Sequence, residues 1–349
     1  MFFASDNTGP VHPQVLAALE QANQGYAMPY GGDGLMARLQ DQIRDVFEAP
    51  QAVVYLVSTG TAANSLALAT LADPWQTIFC TDVAHIHEDE CNAPEFFTGG
   101  AKLTPIPSHN GKLRPEDLHR SIEAEETRGV HGPQRGPLSI TQVTERGSVY
   151  DLAEIKALCE VAHSYNLPCH MDGARFANAL VTLGCSPAEM TWQAGIDALS
   201  FGATKNGCMA AEAVIFFDPK HAWEFELRRK RGGHLPSKNR FMAAQMLAYL
   251  QDDLWLNSAR AANAATARLA RGLRRVDGCQ FLFEPQANII FAGFSRAAHK
   301  RLHQAGAQYY LWQGQLDGAD DTEILTARMV TDWSAQDQDI DRFLELAHG

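Results

Sequence analysis

The hydrophobic positions of the chain follow two different periods. Apolar residues recur at helical spacing over Pro13–Gln24 and again over Leu35–Phe47, and the irregular glycine-rich segment Pro29–Gly34 separates the two stretches. After these helices the spacing changes. The apolar run Val53–Val57 predicts a buried strand, and the Ala/Leu-rich stretch Ala62–Leu71 predicts a helix. The chain therefore opens with two helices and continues as strand, turn and helix.

Further short apolar runs alternate with helical stretches, of which Leu152–Tyr165 is the clearest. The runs that predict strands are Thr77–Cys80, Lys102–Pro105, Leu138–Val143, Pro168–Met171, Ala198–Phe201 and Ala213–Phe217. Because an intervening helix lets consecutive strands run parallel, this alternation predicts an α/β fold with a mostly parallel sheet.

The C-terminal part has a different pattern. Helical spacing over Arg240–Leu273 leads to two predicted strands, Ile289–Phe294 and Leu325–Val330, and then to a helix at Gln338–Ala347. We therefore expect a large domain at residues 1–240, followed by a helical connection and a small C-terminal domain at residues 241–349.

Composition and charge exclude several classes of partner. Apolar residues make up 46% and charged residues 20%, which is typical of a globular enzyme. The formal net charge of -12 disfavours nucleic-acid binding, because such proteins concentrate positive charge on one face. The basic run Arg228–Arg231 is the exception, and it is either a solvated face or a subunit contact near a phosphate. No run of 18 apolar residues occurs, so we expect no membrane segment.

The seven cysteines form no disulfide or zinc pattern. Their number is odd, and they include neither a Cys-x-x-Cys pair nor Cys/His spacing of the zinc type. The N-terminal residues also lack the pattern of a secretory signal. We therefore expect reduced thiols in a cytoplasmic protein.

The sharpest chemical signal is Lys205, which lies in a turn of small residues directly after a predicted strand, in Leu199–Gly207. A lysine that forms a Schiff base must be desolvated enough to lose its proton and held firmly enough to attack an aldehyde. Small neighbours at a strand end permit both. The segment predicts an enzyme that carries pyridoxal 5'-phosphate (PLP) on Lys205, although most lysines are surface residues.

A second strand end carries an acid, a glycine and a base, in His170–Arg175. Ligands of α/β sheets bind at such strand ends. An aspartate there can keep a pyridine nitrogen protonated, which makes the ring an electron sink for a carbanion at the substrate Cα. Asp172 is the predicted partner of the PLP nitrogen.

The segment Ser58–Thr61, at the predicted start of a helix, offers backbone N–H groups and hydroxyls. These groups and the positive end of the helix dipole suit a phosphate, although the same residues also serve as ordinary helix caps.

An acid and imidazole cluster follows the strand near Cys80, and it contains His85, His87 and Glu88–Glu90. Consecutive residues of a loop rarely converge on a metal ion. We therefore expect that the cluster does not form a metal site. Instead, we expect the imidazole of His85 to pack on the cofactor ring and the acids to face water.

These segments resemble the low-specificity L-threonine aldolases of pseudomonad type, some of which act on phenylserine, within the aspartate-aminotransferase-like (fold type I) PLP enzymes. The resemblance covers nearly the whole chain. It rests on Ser5–Asn7, Pro29–Gly31, Thr59–Asn64, Asp89–Phe97, Asp172–Asn178 and the Lys205 segment. It implies a mostly parallel sheet with helices on both faces, a small α+β C-terminal domain, and reversible cleavage of L-threonine, L-allo-threonine and related L-β-hydroxy-α-amino acids to glycine and an aldehyde.

The resemblance also implies site residues and an assembly. The expected cofactor residues are Thr59, Gly60 and Thr61 at the phosphate, His85 on the ring, Asp172 at its nitrogen, Arg175 near its 3'-oxygen and Lys205 as the covalent anchor. The expected substrate residues are Ser5 and Arg328 at the carboxylate, Arg175, and Tyr30 reaching a neighbouring subunit. Active sites in this family are shared across a dimer, usually within a tetramer, so we expect a homo-oligomer.

The sequence departs from the wider family at one position. Many relatives have a histidine where Glu145 stands, so a catalytic histidine cannot be assigned there. His131, in Val130–Pro133, matches a histidine of the pseudomonad-type enzymes. His85 and His131 are therefore the candidate bases for the substrate β-hydroxyl.

Two other readings of the sequence stay open. The first is another reaction of the same cofactor, such as β-elimination, transamination or one-carbon transfer, because one fold hosts many reactions. The second is a non-catalytic scaffold. Asp172, Arg175, Lys205 and Arg328 argue against a scaffold, which has no need of costly polar groups in a cleft.

Overall fold

The computed structural model describes residues Met1–Gly349 as fourteen α-helices, eleven β-strands and several short 3-10 turns. The helices are α1 (Pro13–Ala22), α2 (Gly34–Val46), α3 (Gly60–Leu71), α4 (His85–Glu88), α5 (Ala93–Thr98), α6 (Pro115–Ala124), α7 (Leu152–Ser164), α8 (Phe176–Leu183), α9 (Pro187–Met190), α10 (Ala222–Arg231), α11 (Arg240–Leu250), α12 (Leu254–Leu273), α13 (Arg296–Gln304) and α14 (Asp337–His348). The strands are β1 (Val53–Val57), β2 (Gln76–Thr81), β3 (Lys102–Ile106), β4 (Gln134–Thr141), β5 (Cys169–Gly173), β6 (Ala198–Gly202), β7 (Glu212–Phe216), β8 (Gln280–Phe281), β9 (Ile289–Ser295), β10 (Tyr310–Gln313) and β11 (Ile324–Val330).

The larger sheet has seven strands in the order β1-β7-β6-β5-β4-β2-β3. Strands β6, β5, β4, β2 and β3 pair in parallel, and β7 alone runs antiparallel to both of its neighbours. The central strands β5, β6 and β7 are buried along their whole length, which explains why they appear in the sequence as continuous apolar runs. The prediction of a mostly parallel α/β sheet is confirmed.

The smaller sheet, β10-β11-β9-β8, is entirely antiparallel. Its core contains Leu269 of α12, Phe294 of β9 and Phe343 of α14. The N-terminus crosses over to it, since the Phe3 N–H donates to the Gln308 carbonyl at 2.7 Å and the Phe3 ring packs edge-on against Phe343. The first residues of the chain thus pack with the last hundred.

The border between the two units lies in a helical connection. The pattern over Arg240–Leu273 forms two helices, because Asp252 and Asp253 adopt positive φ angles between α11 and α12. Met246 and Tyr249 of α11 are buried in the core of the larger sheet. The domain boundary expected at residue 240 stays a proposal. Because α11 packs in the core of the larger sheet, we place the boundary further along the chain, inside α12.

An aromatic cluster fixes strand β6 in the larger core. The fully buried ring of Phe201 lies edge-on to Phe47, Phe176 and Trp255, with ring centroids 5.5 to 5.6 Å apart. Edge-to-face pairs add to the stabilisation from area burial. Because Phe201 stands four residues before Lys205, the cluster also holds the strand end that carries this lysine.

One strand boundary changes the environment of a site residue. The run expected as a strand over Leu138–Val143 begins earlier, at Gln134, and ends at Thr141. Val143 and Glu145 therefore lie in the loop that follows β4 and not in the strand. No helix combines the length and the apolar character needed to span a membrane.

Candidate active site

A cavity of about 270 Å³ lies at the carboxyl ends of the parallel strands. Its lining comes from the segments that follow β1, β2, β4, β5 and β6. The residues that line it include Ser58, Thr59, Gly60, Thr61, Asn64, His85, Glu90, Glu145, Asp172, Arg175, Lys205 and Glu212. Parallel strands bring their carboxyl ends to one edge of the sheet, and ligands of α/β folds bind there.

Helix α3 begins at this cavity with two free amide groups. The Thr59 hydroxyl caps the helix by accepting the N–H of Ala62 at 3.1 Å. The N–H groups of Gly60 and Thr61 donate to no protein atom. Free N–H groups and the positive end of a buried twelve-residue helix form an anion site, so this end of the cavity fits a phosphate.

Lys205 lies in a short 3-10 turn, Thr204–Asn206, directly after β6. The Asn206 side chain anchors this turn by donating to the Tyr249 hydroxyl at 2.8 Å and to the Trp255 carbonyl at 2.9 Å. Gly202 allows a close approach, since a Cβ there would lie 2.7 Å from the backbone of Ala174. The lysine is thereby brought next to the loop that follows β5.

The surroundings of Lys205 favour a neutral amine. Burial lowers the pKa of Lys205, and the Arg175 guanidinium lowers it further, against the opposing effect of Asp6, Asp172 and Glu212. Burial also raises the pKa of Glu212 to about 7, and this carboxyl accepts the Ala203 N–H at 3.1 Å. A neutral, fixed amine is what nucleophilic attack on an aldehyde requires.

Asp172 belongs to a hydrogen-bonded chain that reaches His85. One Asp172 oxygen accepts the Ala174 N–H at 2.9 Å, and the other accepts from the Asn64 amide at 2.8 Å. The same Asn64 nitrogen donates to Glu90 at 2.9 Å, and Glu90 lies 2.8 Å from His85 Nδ1. Glu90 is buried at this junction, so the expectation that all acids of the His85 cluster face water is wrong for Glu90.

His85 is held from two sides by carboxyl groups. Its Nδ1 faces Glu90, and its backbone N–H donates to Glu145 Oε1 at 2.9 Å. The hydrogen bond to Glu90 raises the pKa of His85 above its usual value and outweighs the effect of burial, while Asp172 adds to the rise. The ring is therefore fixed and carries a proton over a wider pH range than a free imidazole.

Behind the cavity, His170 connects three strands. Its Nδ1 lies 2.9 Å from the Ser139 hydroxyl of β4, and its Nε2 lies 3.0 Å from the Ser200 hydroxyl of β6. Burial lowers the pKa of His170 to about 4, so its ring is neutral at neutral pH. This side chain stabilises the alignment of the strand ends beside Asp172.

Arg175 forms a buried ion pair with Asp6. Its Nε and Nη2 donate to the two Asp6 oxygens at 2.6 and 2.9 Å, and Asn288 donates to the same carboxylate at 3.0 Å. Burial raises the pKa of Asp6, but Arg175, Lys205 and these hydrogen bonds together bring it below its usual value. The Nη1 group of Arg175 donates to no protein atom, and the residue lines the cavity.

Three predicted substrate residues lie outside the cavity lining. Ser5 accepts the N–H of Asn7, which itself lines the cavity. Arg328 is half-buried on β11, and burial, helped by the Arg175 guanidinium, lowers its pKa. Tyr30 is half-exposed, with the Lys230 ammonium 4.6 Å from its ring centroid.

His131 is far from the cavity within this chain. It is exposed, and it precedes the first residue of β4. The cavity lies at the other end of this eight-residue strand, which is about 23 Å long at 3.3 Å per residue. The structure therefore does not bring His131 to Lys205 in one subunit, and a base role for it there has no geometric support.

Five polar residues of the site had no role in the sequence prediction: Asp6, Asn64, Glu90, Glu145 and Glu212. Three of them, Asp6, Asn64 and Glu90, stand inside segments that carried the family resemblance. Their position beside Ser5, Thr61 and Asp89 was the only signal, and it did not reveal their hydrogen-bond partners.

Comparisons with known proteins identify the family and the fold of the chain. Residues 3–296 match the family of β-eliminating lyases. The chain is 41% identical to the low specificity L-threonine aldolase of Pseudomonas aeruginosa, over 99% of this chain and 95% of that protein. The structure of Leishmania major threonine aldolase superposes with a TM-score of 0.91 at 26% identity and covers 99% of this chain and 98% of that one. A serine palmitoyltransferase of S. paucimobilis, solved with bound PLP, has a TM-score of 0.68 at 18% identity, covers 100% of this chain and 86% of that one, and shows the shared fold.

We expect Glu90→Gln to lower the pKa of His85. The amide keeps the shape but removes the negative charge, while the burial that opposes protonation remains. Titration of the His85 ring by NMR in cofactor-free protein measures the change. Glu88→Gln is the matched control, because Glu88 is exposed and lies in α4, the helix that contains His85. An unchanged His85 midpoint in Glu90→Gln would contradict the network.

We expect Asp6→Asn to reduce the free energy of unfolding by about 3–5 kcal/mol at neutral pH, because it leaves a buried guanidinium without its partner. The folded-state pKa of Asp6 is lowered, so the carboxylate stabilises the protein above its unfolded pKa and loses this effect as the pH falls through the folded value. The difference between wild type and variant should thus shrink below about pH 4.

Urea unfolding at several pH values and one protein concentration measures this difference. Asp341→Asn removes a partner from an exposed arginine pair and should cost less than about 1 kcal/mol. Equal losses in the two variants would show that the Asp6 pair has no special role.

Proposed function

Because this chain belongs to the family of β-eliminating lyases, we propose that it is a PLP-dependent lyase that cleaves L-threonine, L-allo-threonine and related L-β-hydroxy-α-amino acids, phenylserine among them, reversibly to glycine and an aldehyde. The observation that carries the proposal is the shared cavity of Lys205 and Asp172, with a helix N-terminus at its end. The identity to an L-threonine aldolase over nearly the whole chain supports the choice of substrate.

The residues of the cavity fit PLP. A buried amine with a lowered pKa suits the aldehyde, the carboxyl of Asp172 suits the pyridine nitrogen, and the free N–H groups of Gly60 and Thr61 suit the phosphate. When bound, PLP supplies an electron sink for the bond that breaks at the substrate Cα. We therefore propose Lys205 as its covalent anchor and Asp172 as the partner of its nitrogen.

The remaining cofactor contacts follow from the same set. Thr59 caps the start of α3, where the phosphate would bind. His85 offers a fixed ring to the face of the pyridine, and the free Nη1 of Arg175 can donate to an oxygen of the cofactor or of the substrate. The Asp6 pair keeps the Arg175 guanidinium in place. These residues bind and orient, which is the main contribution of the protein to cofactor chemistry.

Arg328 is the proposed carboxylate site. Its guanidinium makes no hydrogen bond within the chain, and it lies close enough to Arg175 and Asp6 for their charges to change its pKa. A two-pronged pair with the substrate carboxylate would fix which Cα bond is aligned for cleavage. Ser5, beside Asn7 at the cavity wall, is the proposed second contact.

A second function has one observation in its favour, namely the match of residues 3–296 to β-eliminating lyases. β-Elimination would use the same anchor and the same electron sink but would release ammonia and a keto acid. Transamination and one-carbon transfer have only the shared fold in their favour. The products therefore decide between the reactions.

We also propose a cytoplasmic homodimer with shared active sites, in a tetramer. Support comes from three exposed apolar side chains close together in sequence, Tyr26, Met28 and Tyr30, because an apolar patch of this kind marks an interface. Tyr30 would then reach the site of a neighbouring subunit. Sedimentation equilibrium should give two or four subunits per particle, whereas a monomer would exclude shared sites.

Absorption spectra and product analysis test the main proposal. Wild-type protein with added PLP should gain the visible band of lysine-bound cofactor and should release glycine and acetaldehyde from L-threonine. Lys205→Ala should lose the band and the products, because it lacks the amine. Lys156→Ala, an exposed lysine of α7, should keep both. A band with ammonia and keto acid as products would redirect the assignment to β-elimination, and no band in wild type would exclude the cofactor.

A further inference from the structure

Glu145 lines the cavity and has one carboxyl oxygen without a hydrogen-bond partner. The residue lies in the loop after β4 and lines the cavity with Lys205 and Asp172. Its Oε1 accepts the His85 N–H at 2.9 Å, which fixes the carboxyl group. Its Oε2 is fully buried and has no hydrogen-bond partner. A fixed carboxyl that lines the cavity and keeps one oxygen without a hydrogen-bond partner is suited to proton transfer.

The other carboxylates of the cavity are engaged. Asp172 accepts one hydrogen bond on each oxygen, from Ala174 and Asn64. Glu90 receives both His85 and Asn64 on Oε1, and although its Oε2 also lacks a partner, its side chain has no exposed surface. Glu212 accepts the Ala203 N–H. All three residues are buried, whereas Glu145 is only partly buried and has one oxygen without a hydrogen-bond partner.

The imidazoles are less suitable acceptors. Glu90 occupies His85 Nδ1 and raises the pKa of this ring, which favours the protonated form that has no nitrogen left to accept a proton. His131 lies beyond the opposite end of β4. Among the acidic residues that line the cavity, Glu145 is therefore the one that is not buried and that also has an oxygen without a partner.

We propose that Glu145 is the catalytic acid and base for the β-hydroxyl group of the substrate. This inference rests on the proposed lyase function. In cleavage, the hydroxyl O–H bond breaks and its proton passes to Glu145, a C=O bond forms at Cβ, and the Cα–Cβ bond breaks with its electron pair left at Cα. Bound PLP would supply the electron sink for that pair. The aldehyde leaves, Cα takes up a proton from solvent to give glycine, and Glu145 loses its proton to solvent before the next turnover. In the reverse direction Glu145 returns its proton to the new hydroxyl.

The charges around Glu145 suit both directions. Burial raises the pKa of Glu145 above its usual value, the Asp172 carboxylate raises it further, and the neighbouring Thr141 side chain and the His85 N–H oppose the rise. The titratable groups that face it are His85 of α4, Asp172 of β5, Cys80 of β2 and Tyr150. Burial raises the pKa of Cys80 and of Tyr150 far above neutral, so neither titrates near pH 7.

Glu145→Gln separates proton transfer from positioning. The amide oxygen can still accept the His85 N–H, but the side chain cannot take up a proton. We expect kcat for L-threonine cleavage to fall by about 10²–10⁴-fold with little change in KM. Exchange of the glycine Cα proton for solvent deuterium, followed by NMR, needs no hydroxyl proton and should continue close to the wild-type rate.

The pH profile provides a second readout. In wild type, kcat/KM for cleavage should fall on the acidic side as Glu145 becomes protonated, and this limb should disappear in Glu145→Gln. Glu145→Asp restores a titrating carboxyl one methylene shorter and should recover part of kcat. The exposed Glu88→Gln is the matched control and should behave as wild type.

Each outcome decides the proposal. If Glu145→Gln cleaves L-threonine at the wild-type rate, or if its pH profile keeps the acidic limb, the proposal is overturned. If the variant loses glycine proton exchange as strongly as cleavage, Glu145 only maintains the site. If the wild-type protein exchanges the glycine proton but cleaves no β-hydroxy amino acid, the proposed function fails instead, whatever Glu145 does.

Discussion

The amide of Asn64 connects two buried carboxylates that would otherwise repel each other. Its nitrogen donates to Asp172 and to Glu90, and the latter holds His85. An unpaired buried carboxylate costs several kcal/mol, so the two acids can stay in one cavity only with such partners. The acid at one side of the site and the imidazole at the other therefore depend on a single side chain of α3.

The cavity combines buried acids and bases whose charges are balanced by neighbours. Asp6 stabilises the charge of Arg175, and Arg175 together with burial favours a neutral Lys205. His170 joins β4 to β6 behind Asp172 without adding a charge, because burial keeps its ring neutral. A site of this kind provides a preorganised polar environment, and the burial of its groups strengthens each electrostatic interaction among them.

The hydrogen-bond partners of the site lie far apart along the chain, and this distance limited the sequence prediction. Lys205, Asp172 and the start of α3 could be predicted, because each follows a strand pattern and has a local chemical signature. Glu145 pairs with a backbone group 60 residues away, and Asp6 pairs with an arginine 169 residues away. No local pattern reveals such pairs. Glu90 was predicted to face water for the same reason, since only tertiary packing buries it.

Local patterns in the chain were enough to predict the parallel α/β sheet, the order of its main strands along the chain, and the lysine and aspartate at two strand ends. These features depend on local periodicity and on small residues at turns, which neighbouring positions reveal. The folded structure was needed to see which acids share the cavity. It also showed that His131 lies at the opposite edge of the sheet and that the N-terminus packs with the small sheet. Their positions follow from strand order and side-chain packing, which bring together residues that the sequence keeps far apart.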